Sequence, residues 1–114
     1  MKIFLISPVR VFDIVEQKEI LEYVVNLEED GADVHLPIRD TDQDCTEFDI
    51  CTQNAVAIRD ADEVHVWWNV ASSGSKFDLG VAFALGKKVV VANDIEVSTT
   101  KSFCNLLHSM EESL

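Results

Sequence analysis

Residues 63–92, EVHVWWNVASSGSKFDLGVAFALGKKVVVA, decide the fold of this 114-residue chain. The stretch begins with an alternating apolar run at 63–69, continues with apolar residues at every fourth position over 77–85, and ends with an apolar run at 88–92. Alternation with a period of two predicts a strand, and recurrence every three to four residues predicts a helix. A strand, a helix and a second strand in this order predict a β-α-β unit with parallel strands.

The same signals continue toward both ends of the chain. Strands alternate with helices throughout, which predicts a three-layer, doubly wound α/β fold with a parallel sheet of four or five strands and helices on both faces. The flavodoxin-like, Rossmann-like strand order 2-1-3-4 is the expected winding, in a single domain over residues 1–114. The other predicted elements are strands at 2–7 and 33–36, and helices at 13–29, at 51–61 with Thr46 or Thr52 as its cap, and from Ser98 or Thr99 to Met110.

The charge of the chain excludes two classes of partner. Asp and Glu number 21 against 9 Lys and Arg, which gives a formal net charge of −12. A chain with this charge repels a phosphate backbone and an anionic membrane surface. No basic patch offsets the repulsion, because Lys87-Lys88 is the only pair of adjacent basic residues in the sequence. No apolar run reaches the roughly 18 residues of a membrane span. We therefore expect no nucleic acid and no membrane among its partners.

Metal and cofactor binding are not predicted either. The three His residues lie far apart in the sequence, which does not suit a metal site. The three Cys residues show no CxxC spacing, and scattered cysteines of this kind are typical of a reducing cytoplasm. The acidic segment 38–49 begins like a calcium loop at Asp40, but Cys45 replaces the turn glycine and Cys51 stands where the bidentate Glu belongs. We interpret the segment as a solvated loop and expect no metal, no cofactor and a cytoplasmic location.

Three loops are predicted to meet at one edge of the sheet. In this winding a ligand binds beyond the carboxyl ends of the strands, near the switch between strands 1 and 3. Segments 7–10, 69–78 and 93–96 follow strands 1, 3 and 4 at that edge. Arg10 can pair with a phosphate or a carboxylate through two parallel hydrogen bonds. A surface Arg paired with one of the many acids is the open alternative.

Small hydroxyl residues open the third predicted helix. Ser72, Gly74 and Ser75 would leave backbone N–H groups free to bind an anion. Asp78 is expected in the first turn, where the helix dipole favours its ionised form. The alternative is that the serines only cap the helix. Gly80 is unfavourable inside a helix and therefore predicts a close contact at that position.

Asn54 and two tryptophans complete the candidate residues. Asn54 lies early on the predicted helix 51–61 and is expected to point into the same crevice as Asp78, an ordinary polar helix position being the alternative. Trp67 and Trp68 are predicted to face opposite sides of the third strand. A strand Trp buries a large area and is therefore typical of a core.

Three segments resemble the nucleoside 2-deoxyribosyltransferase superfamily, which includes the 2′-deoxynucleoside 5′-monophosphate N-glycosidases. The first is the Ser7-to-Arg10 loop, and the second is Asn54 on the helix before Ala61-Asp62-Glu63-Val64. The third, residues 72–87, is similar to the superfamily motif Ser-x-Gly-x-x-aromatic-Glu-Leu-Gly-x-Ala-x-Ala-x-Gly-Lys. Asp78 stands where that motif has Glu, and Asn54 stands where the superfamily has an acid. Together the segments span most of residues 3–92.

The resemblance implies a reaction and a role for each candidate. In the superfamily a carboxylate attacks C1′ of the sugar and displaces the base, and the sugar then passes to water or to another base. Asp78 is accordingly the predicted nucleophile, with Asn54 as the second catalytic residue. A tryptophan at 67 or 68 would stack on the base. The predicted substrate-binding residues, which would contact the sugar or a 5′-phosphate, are Ser7, Arg10, Asn69, Ser72, Gly74 and Ser75.

Two other functions remain open. The chain can be a nucleotide-binding module that has kept the crevice and lost the chemistry. It can also be an interaction protein whose helices 51–61 and 77–85 form a homodimer around an inactive crevice. A homodimer is expected from the resemblance and from the small residues Gly80, Ala82 and Ala84 on one helix.

Overall fold

Strands and helices alternate along the chain and build a single parallel sheet. The computed structural model describes residues 1–10 and 13–113. Its elements are β1 (Lys2–Ile6), α1 (Ile14–Glu29), β2 (Asp33–His35), α2 (Pro37–Asp40), α3 (Glu47–Asp60), β3 (Glu63–Val66), α4 (Ser73–Ala84), β4 (Val89–Val91) and α5 (Phe103–Glu112). The strand order β2-β1-β3-β4 confirms the predicted 2-1-3-4 winding. In register, Ile3 lies between Val34 and Glu63.

Helices cover both faces of the sheet, and each face has its own apolar core. On the α1 face, Ile20 and Val24 pack against side chains of β1 and β2. On the opposite face, which we call the α3–α5 face, Ile58, Leu79 and Leu107 of the three helices are buried against the sheet. The strand residues of this second core are Phe4, Ile6, Val64, Val66 and Val89.

The side chains of β3 alternate between the two faces as predicted. Val64, Val66 and the following Trp68 belong to the core of the α3–α5 face. His65 contacts Tyr23 of α1, and Trp67 packs with the α1 core. Trp68 is 6% exposed, so its side chain is a core residue in this structure.

Two helices begin earlier than predicted, because their caps lie upstream of the apolar periodicity. α3 begins at Glu47 rather than at Cys51, since Thr46 accepts a hydrogen bond from the backbone of Asp49 and caps the helix. α4 begins at Ser73 rather than at Phe77, with Ser72 as its cap. The predictions followed the first periodic apolar residue, whereas a helix starts where its free N–H groups find an acceptor.

The earlier start of α4 corrects two expectations. Asp78 is the sixth residue of the helix and so lies in its second turn, beyond the first turn where the helix dipole acts most strongly. Gly80 is exposed, and a side chain there would meet no atom within 4 Å. The predicted close contact at Gly80 is therefore absent within the described chain.

The remaining differences lie in the loops and at the carboxyl end. The short helix α2 lies within the segment interpreted as a loop. α5 begins at Phe103 with Ser102 as its cap, so the predicted caps Ser98 and Thr99 are wrong. Glu111 of α5 accepts a hydrogen bond of 2.6 Å from the backbone of Val91, which places α5 along the outer edge of β4. The described residues contain no fifth strand, and no helix among them has the length and hydropathy needed to cross a membrane.

Candidate functional site

A row of hydrogen-bonded side chains runs beneath the carboxyl ends of the strands on the α3–α5 face. His35 Nε2 lies 2.8 Å from Thr41 Oγ1, and Thr41 donates a hydrogen bond of 2.7 Å to Asn54 Oδ1. Asn54 Nδ2 then donates a longer bond of 3.5 Å to Asp78 Oδ2. Four elements therefore contribute to the row, which joins the end of β2, the end of α2, α3 and α4. The structure thus brings together Asn54 and Asp78, which the sequence placed in one crevice.

The carboxyl of Asp78 is buried without a counter-charge. Its residue is 7% exposed, and Asn54 is its one hydrogen-bond partner among residues 1–10 and 13–113. Burial raises the pKa of Asp78 to about 7, while the hydrogen bond from Asn54 acts in the opposite direction. The carboxyl is therefore close to half-protonated at neutral pH, which corrects the expectation that the helix dipole keeps it ionised.

The serines at the start of α4 cap that helix. Ser72 Oγ accepts from the backbone N–H of Ser75 at 3.2 Å and lies 2.8 Å from Ser75 Oγ. Both serines are buried, whereas Gly74 is exposed and has open space where a side chain would stand. The hydroxyls are thus used inside the protein, and the backbone at Gly74 is the part of this segment that faces outward.

Ser7 and Asn69 lie on the other side of the sheet edge, near the start of α1. Ser7 is 5% exposed, and its Oγ has no hydrogen-bond partner within the described part of the chain. It lines a cavity of about 60 Å³ together with Gln17. Asn69 Nδ2 donates to Glu16 at 3.0 Å, which ties the end of β3 to α1. No described hydrogen bond joins these residues to the row that ends at Asp78.

Arg10 is exposed at the end of the first described segment. It follows β1 at the predicted edge, so its position agrees with the expected loop. The residues that come next, Val11 and Phe12, lie outside the described part of the chain. The structure accordingly places the backbone of this loop at the carboxyl edge and leaves the choice between phosphate binding and a surface ion pair open.

A wider groove runs along β2, which is the outermost strand on one side of the sheet. It has a volume of about 660 Å³, and its walls come from β2, α3 and the end of α1. Arg39 closes part of it by donating to the carbonyl oxygen of Val34 and by pairing with Glu28 and Asp40. His35 lines this groove, whereas Asp78 does not. His35 is therefore the point where the row approaches the open surface.

No three His, Cys, Asp or Glu side chains converge on a possible metal position within residues 1–10 and 13–113. The buried polar side chains near the carboxyl edge are instead hydroxyls, the amide of Asn54 and the carboxyl of Asp78. Such groups suit the recognition of a polar organic ligand, where hydroxyl and amide groups fix orientation and a carboxyl supplies charge.

Comparison with known proteins identifies the fold. No protein-family model matches the sequence, and no curated protein matches it. Solved structures do match: the CMP N-glycosidase of Clostridium botulinum, with a TM-score of 0.62, is 24% identical over 80% of this chain and 67% of its own. The 2-deoxyribosyltransferase of Bacillus psychrosaccharolyticus has a TM-score of 0.66 and 25% identity over 80% of this chain and 71% of its own. The chain has the fold of the nucleoside 2-deoxyribosyltransferase superfamily.

A third solved structure has the same fold. The 2-deoxyribosyltransferase of Leishmania mexicana has a TM-score of 0.61 and 22% identity over 79% of this chain. The present chain covers 62% of that enzyme, so it spans about two thirds of the length of the superfamily structures that it matches.

Sequence reasoning missed two residues of the row in this superfamily fold. His35 ends β2 and Thr41 follows α2, and both lie next to or within the segment interpreted as a solvated loop. Pro37 at the first turn of a helix and Asp40 three residues later were the local signals for α2. The contact between Thr41 and Asn54 depends on how α2 and α3 pack, and no spacing in the sequence reports it.

Proposed function

We propose that this chain binds a nucleoside or nucleoside 5′-monophosphate and cleaves or transfers its N-glycosidic bond, with the carboxylate of Asp78 as the nucleophile. The observation that carries the proposal is the buried carboxyl of Asp78, which has no counter-charge among the described residues and lies beside Asn54. Strongly perturbed carboxyls of this kind concentrate at functional sites. The superfamily structures that this chain resembles are an N-glycosidase and two deoxyribosyltransferases, which supports the same kind of chemistry.

The proposed reaction has two steps. An oxygen of ionised Asp78 forms a bond to C1′ while the bond from C1′ to the base nitrogen breaks, and the base leaves with the electron pair and takes up a proton. Water or a second base then attacks C1′ and releases the carboxylate. The transition state resembles an oxocarbenium ion, so a carboxylate held beside C1′ stabilises its positive charge. Asn54 would hold the carboxylate through its Nδ2–H.

The same proposal assigns the substrate contacts. The outward-facing backbone at Gly74, next to the cap formed by Ser72 and Ser75, would bind the 5′-hydroxyl or 5′-phosphate through free N–H groups at the start of α4. Arg10 would pair with a phosphate, because its guanidinium is exposed at the same edge. Ser7 and Asn69, on the α1 side of the edge, would contact the sugar.

A homodimer through α3 and α4 is the proposed assembly, and one observation favours it. Phe77 and Phe83 of α4 are 48% and 59% exposed, and Phe48 at the start of α3 is 79% exposed. Gly80 opens a position between them where a second chain can approach closely. If the dimer forms without turnover, the chain is an interaction protein instead. Sedimentation at micromolar concentration tests this, and a monomer would remove the dimer from the proposal.

We also propose a cytoplasmic location without a nucleic-acid partner. Cys45, Cys51 and Cys104 are all unpaired, as in a reducing compartment. The net charge of −12 repels a phosphate backbone.

The deciding experiment measures free base. The protein is incubated with each deoxynucleoside and ribonucleoside and with their 5′-monophosphates, and released base is separated by chromatography. The Asp78→Ala variant tests the nucleophile, and Glu22→Gln, an exposed acid on the outer side of α1, is the matched control. Base released by the wild type and by the control, and not by Asp78→Ala, supports the proposal. A ligand that raises the melting temperature without releasing base supports the non-catalytic binding module.

A further inference from the structure

The hydrogen bonds of the row all run in one direction. Thr41 donates its hydroxyl hydrogen to Asn54 Oδ1, so its oxygen is free to accept from His35 Nε2. That contact requires His35 to carry a hydrogen on Nε2. Because Asn54 Oδ1 is engaged by Thr41, the other end of the amide, Nδ2–H, points at Asp78.

We propose that His35 and Thr41 are positioning residues that hold the amide of Asn54 with its Nδ2–H toward Asp78. Without the hydroxyl of Thr41, the oxygen of the Asn54 amide loses its donor, and the amide can turn by half a rotation. Its oxygen then faces Asp78 and accepts a hydrogen bond from the protonated acid. The orientation set by the row therefore decides whether Asn54 favours the carboxylate or the carboxylic acid.

The burial and packing of the row support a fixed arrangement. Thr41 and Asn54 are 4% and 7% exposed, so water does not compete for their hydrogen bonds. The ring of His35 stacks on Phe4 with centroids 5.2 Å apart and planes inclined by 10°. Stacking restricts the plane of the ring, and the contact with Thr41 engages its Nε2 edge.

Among the described groups around the row, the amide of Asn54 is the one that opposes the effect of burial on the pKa of Asp78. Burial lowers the pKa of His35, against opposing effects of Asp40 and Asp33 and an added lowering by Arg39. Neutral His35 with its hydrogen on Nε2 is therefore the form expected at neutral pH. For Asp78 the two described influences are burial and the bond from Asn54.

The row matters for catalysis only if the proposed function is correct, since a nucleophile must be ionised. Its positioning role is measurable without substrate. The pKa of Asp78 is obtained from the pH dependence of its side-chain carboxyl ¹³C signal, and the tautomer of His35 from its ring ¹⁵N signals. A merely structural threonine would change neither.

The matched variants are Thr41→Val, which removes the hydroxyl and keeps the shape, and Thr41→Ser, which keeps the hydroxyl. Thr52→Val, on the exposed side of α3, is the control for a threonine outside the row. We expect the pKa of Asp78 to rise by about half a unit or more in Thr41→Val and to stay within about 0.2 units of the wild type in the other two. An unchanged pKa in Thr41→Val overturns the proposal.

Two further measurements decide the matter if Thr41→Val does not fold. His35→Phe keeps the stacking on Phe4 and removes the donor to Thr41, and we expect a smaller rise in the same direction. The wild-type protein itself must show His35 with its hydrogen on Nε2, and the other tautomer overturns the proposal. If the pKa of Asp78 shifts in Thr41→Val but the wild type releases no base, the positioning role stands and the glycosidase function does not. If the wild type releases base but the pKa does not shift in Thr41→Val, the glycosidase function stands and the positioning role does not.

Discussion

Two acids, the partly buried Glu63 and the buried Asp78, lie on opposite faces of the same sheet and differ in their pairing. On the α1 face, Glu63 binds His65 at 3.1 Å and Lys88 at 3.0 Å, and the hydroxyl of Tyr23 lies 2.5 Å from the other ring nitrogen of His65. On the α3–α5 face, the partner of Asp78 within the described part of the chain is the amide of Asn54, at 3.5 Å.

The pKa values of the two acids consequently shift in opposite directions. Hydrogen bonds from His65 and Lys88 lower the pKa of Glu63, whereas burial raises the pKa of Asp78 to about 7. Glu63 is already paired within the protein, through His65 and Lys88. A buried carboxyl without a counter-charge is unfavourable for folding, and strongly perturbed carboxyls concentrate at functional sites. This difference is the reason for proposing Asp78, rather than Glu63, as the nucleophile.

The largest expected effect is a difference in base release between variants of Asp78 and of Glu63. Asp78→Ala should reduce base release by about 10³-fold or more, because the proposed nucleophile is removed. Glu63→Gln should keep activity within a few-fold. Steady-state assays on both variants, after circular dichroism has shown that each is folded, make the comparison. Equal loss in the two variants would assign the effect to stability rather than to chemistry.

The second effect concerns the stability of the protein, which removal of the Asp78 carboxyl should increase at high pH. Folding raises the pKa of Asp78 from 3.8, so its contribution to stability is complete below pH 3.8 and is lost as the pH rises to about 7. Asp78→Asn removes this loss and should stabilise the protein by about 2–4 kcal/mol at pH 8, with little change at pH 3. Urea unfolding at both pH values measures it. A destabilised Asp78→Asn variant at pH 8 would contradict the raised pKa.

The third effect is a pH profile. Since the nucleophile must be ionised, kcat/KM should increase with pH and level off above a midpoint near 7 in the free enzyme. The measurement is initial rate at low substrate concentration between pH 5 and pH 9. A rate that is constant across this range, in an enzyme whose folding is unchanged, would mean that Asp78 is not the titrating group.

The smallest effect concerns the cluster of Glu63, His65 and Tyr23. Tyr23→Phe removes the hydroxyl that lies beside His65 and should destabilise the protein by about 1 kcal/mol, the usual contribution of one hydrogen bond. Activity should not change, because the cluster lies on the face away from Asp78. Thermal unfolding and the base-release assay together check this, and lost activity in a stable variant would connect the two faces.

The fold was predictable because its signals are local and repeated. Apolar runs such as 2–7 and 88–92 mark buried strands, and the parallel winding follows from their alternation with helices. The ends of elements were less predictable, since they depend on single caps such as Ser72 and Ser102. Two residues of the candidate site, Asn54 and Asp78, were found from their places on the predicted helices, and the resemblance to the superfamily added their expected roles.

What the sequence could not show is the environment of those two residues. The pairing of Asp78 with Asn54, and with no counter-charge among the described residues, results from the packing of α3 and α4, and the row through Thr41 depends on where the short helix α2 lies. Both are contacts between segments that are distant in sequence. Burial converts a carboxyl expected to be ionised into one that titrates near neutrality, and burial is a property of the folded chain.

The most direct test is to trap the covalent intermediate. The protein is mixed with the nucleotide that it turns over, quenched with acid within a turnover, digested and mapped by mass spectrometry. The proposed mechanism predicts a sugar phosphate, or a sugar for a nucleoside substrate, bound through an ester to the peptide that contains Asp78, and no such adduct in Asp78→Ala. An adduct on another residue during turnover would contradict the assignment of Asp78 as the nucleophile.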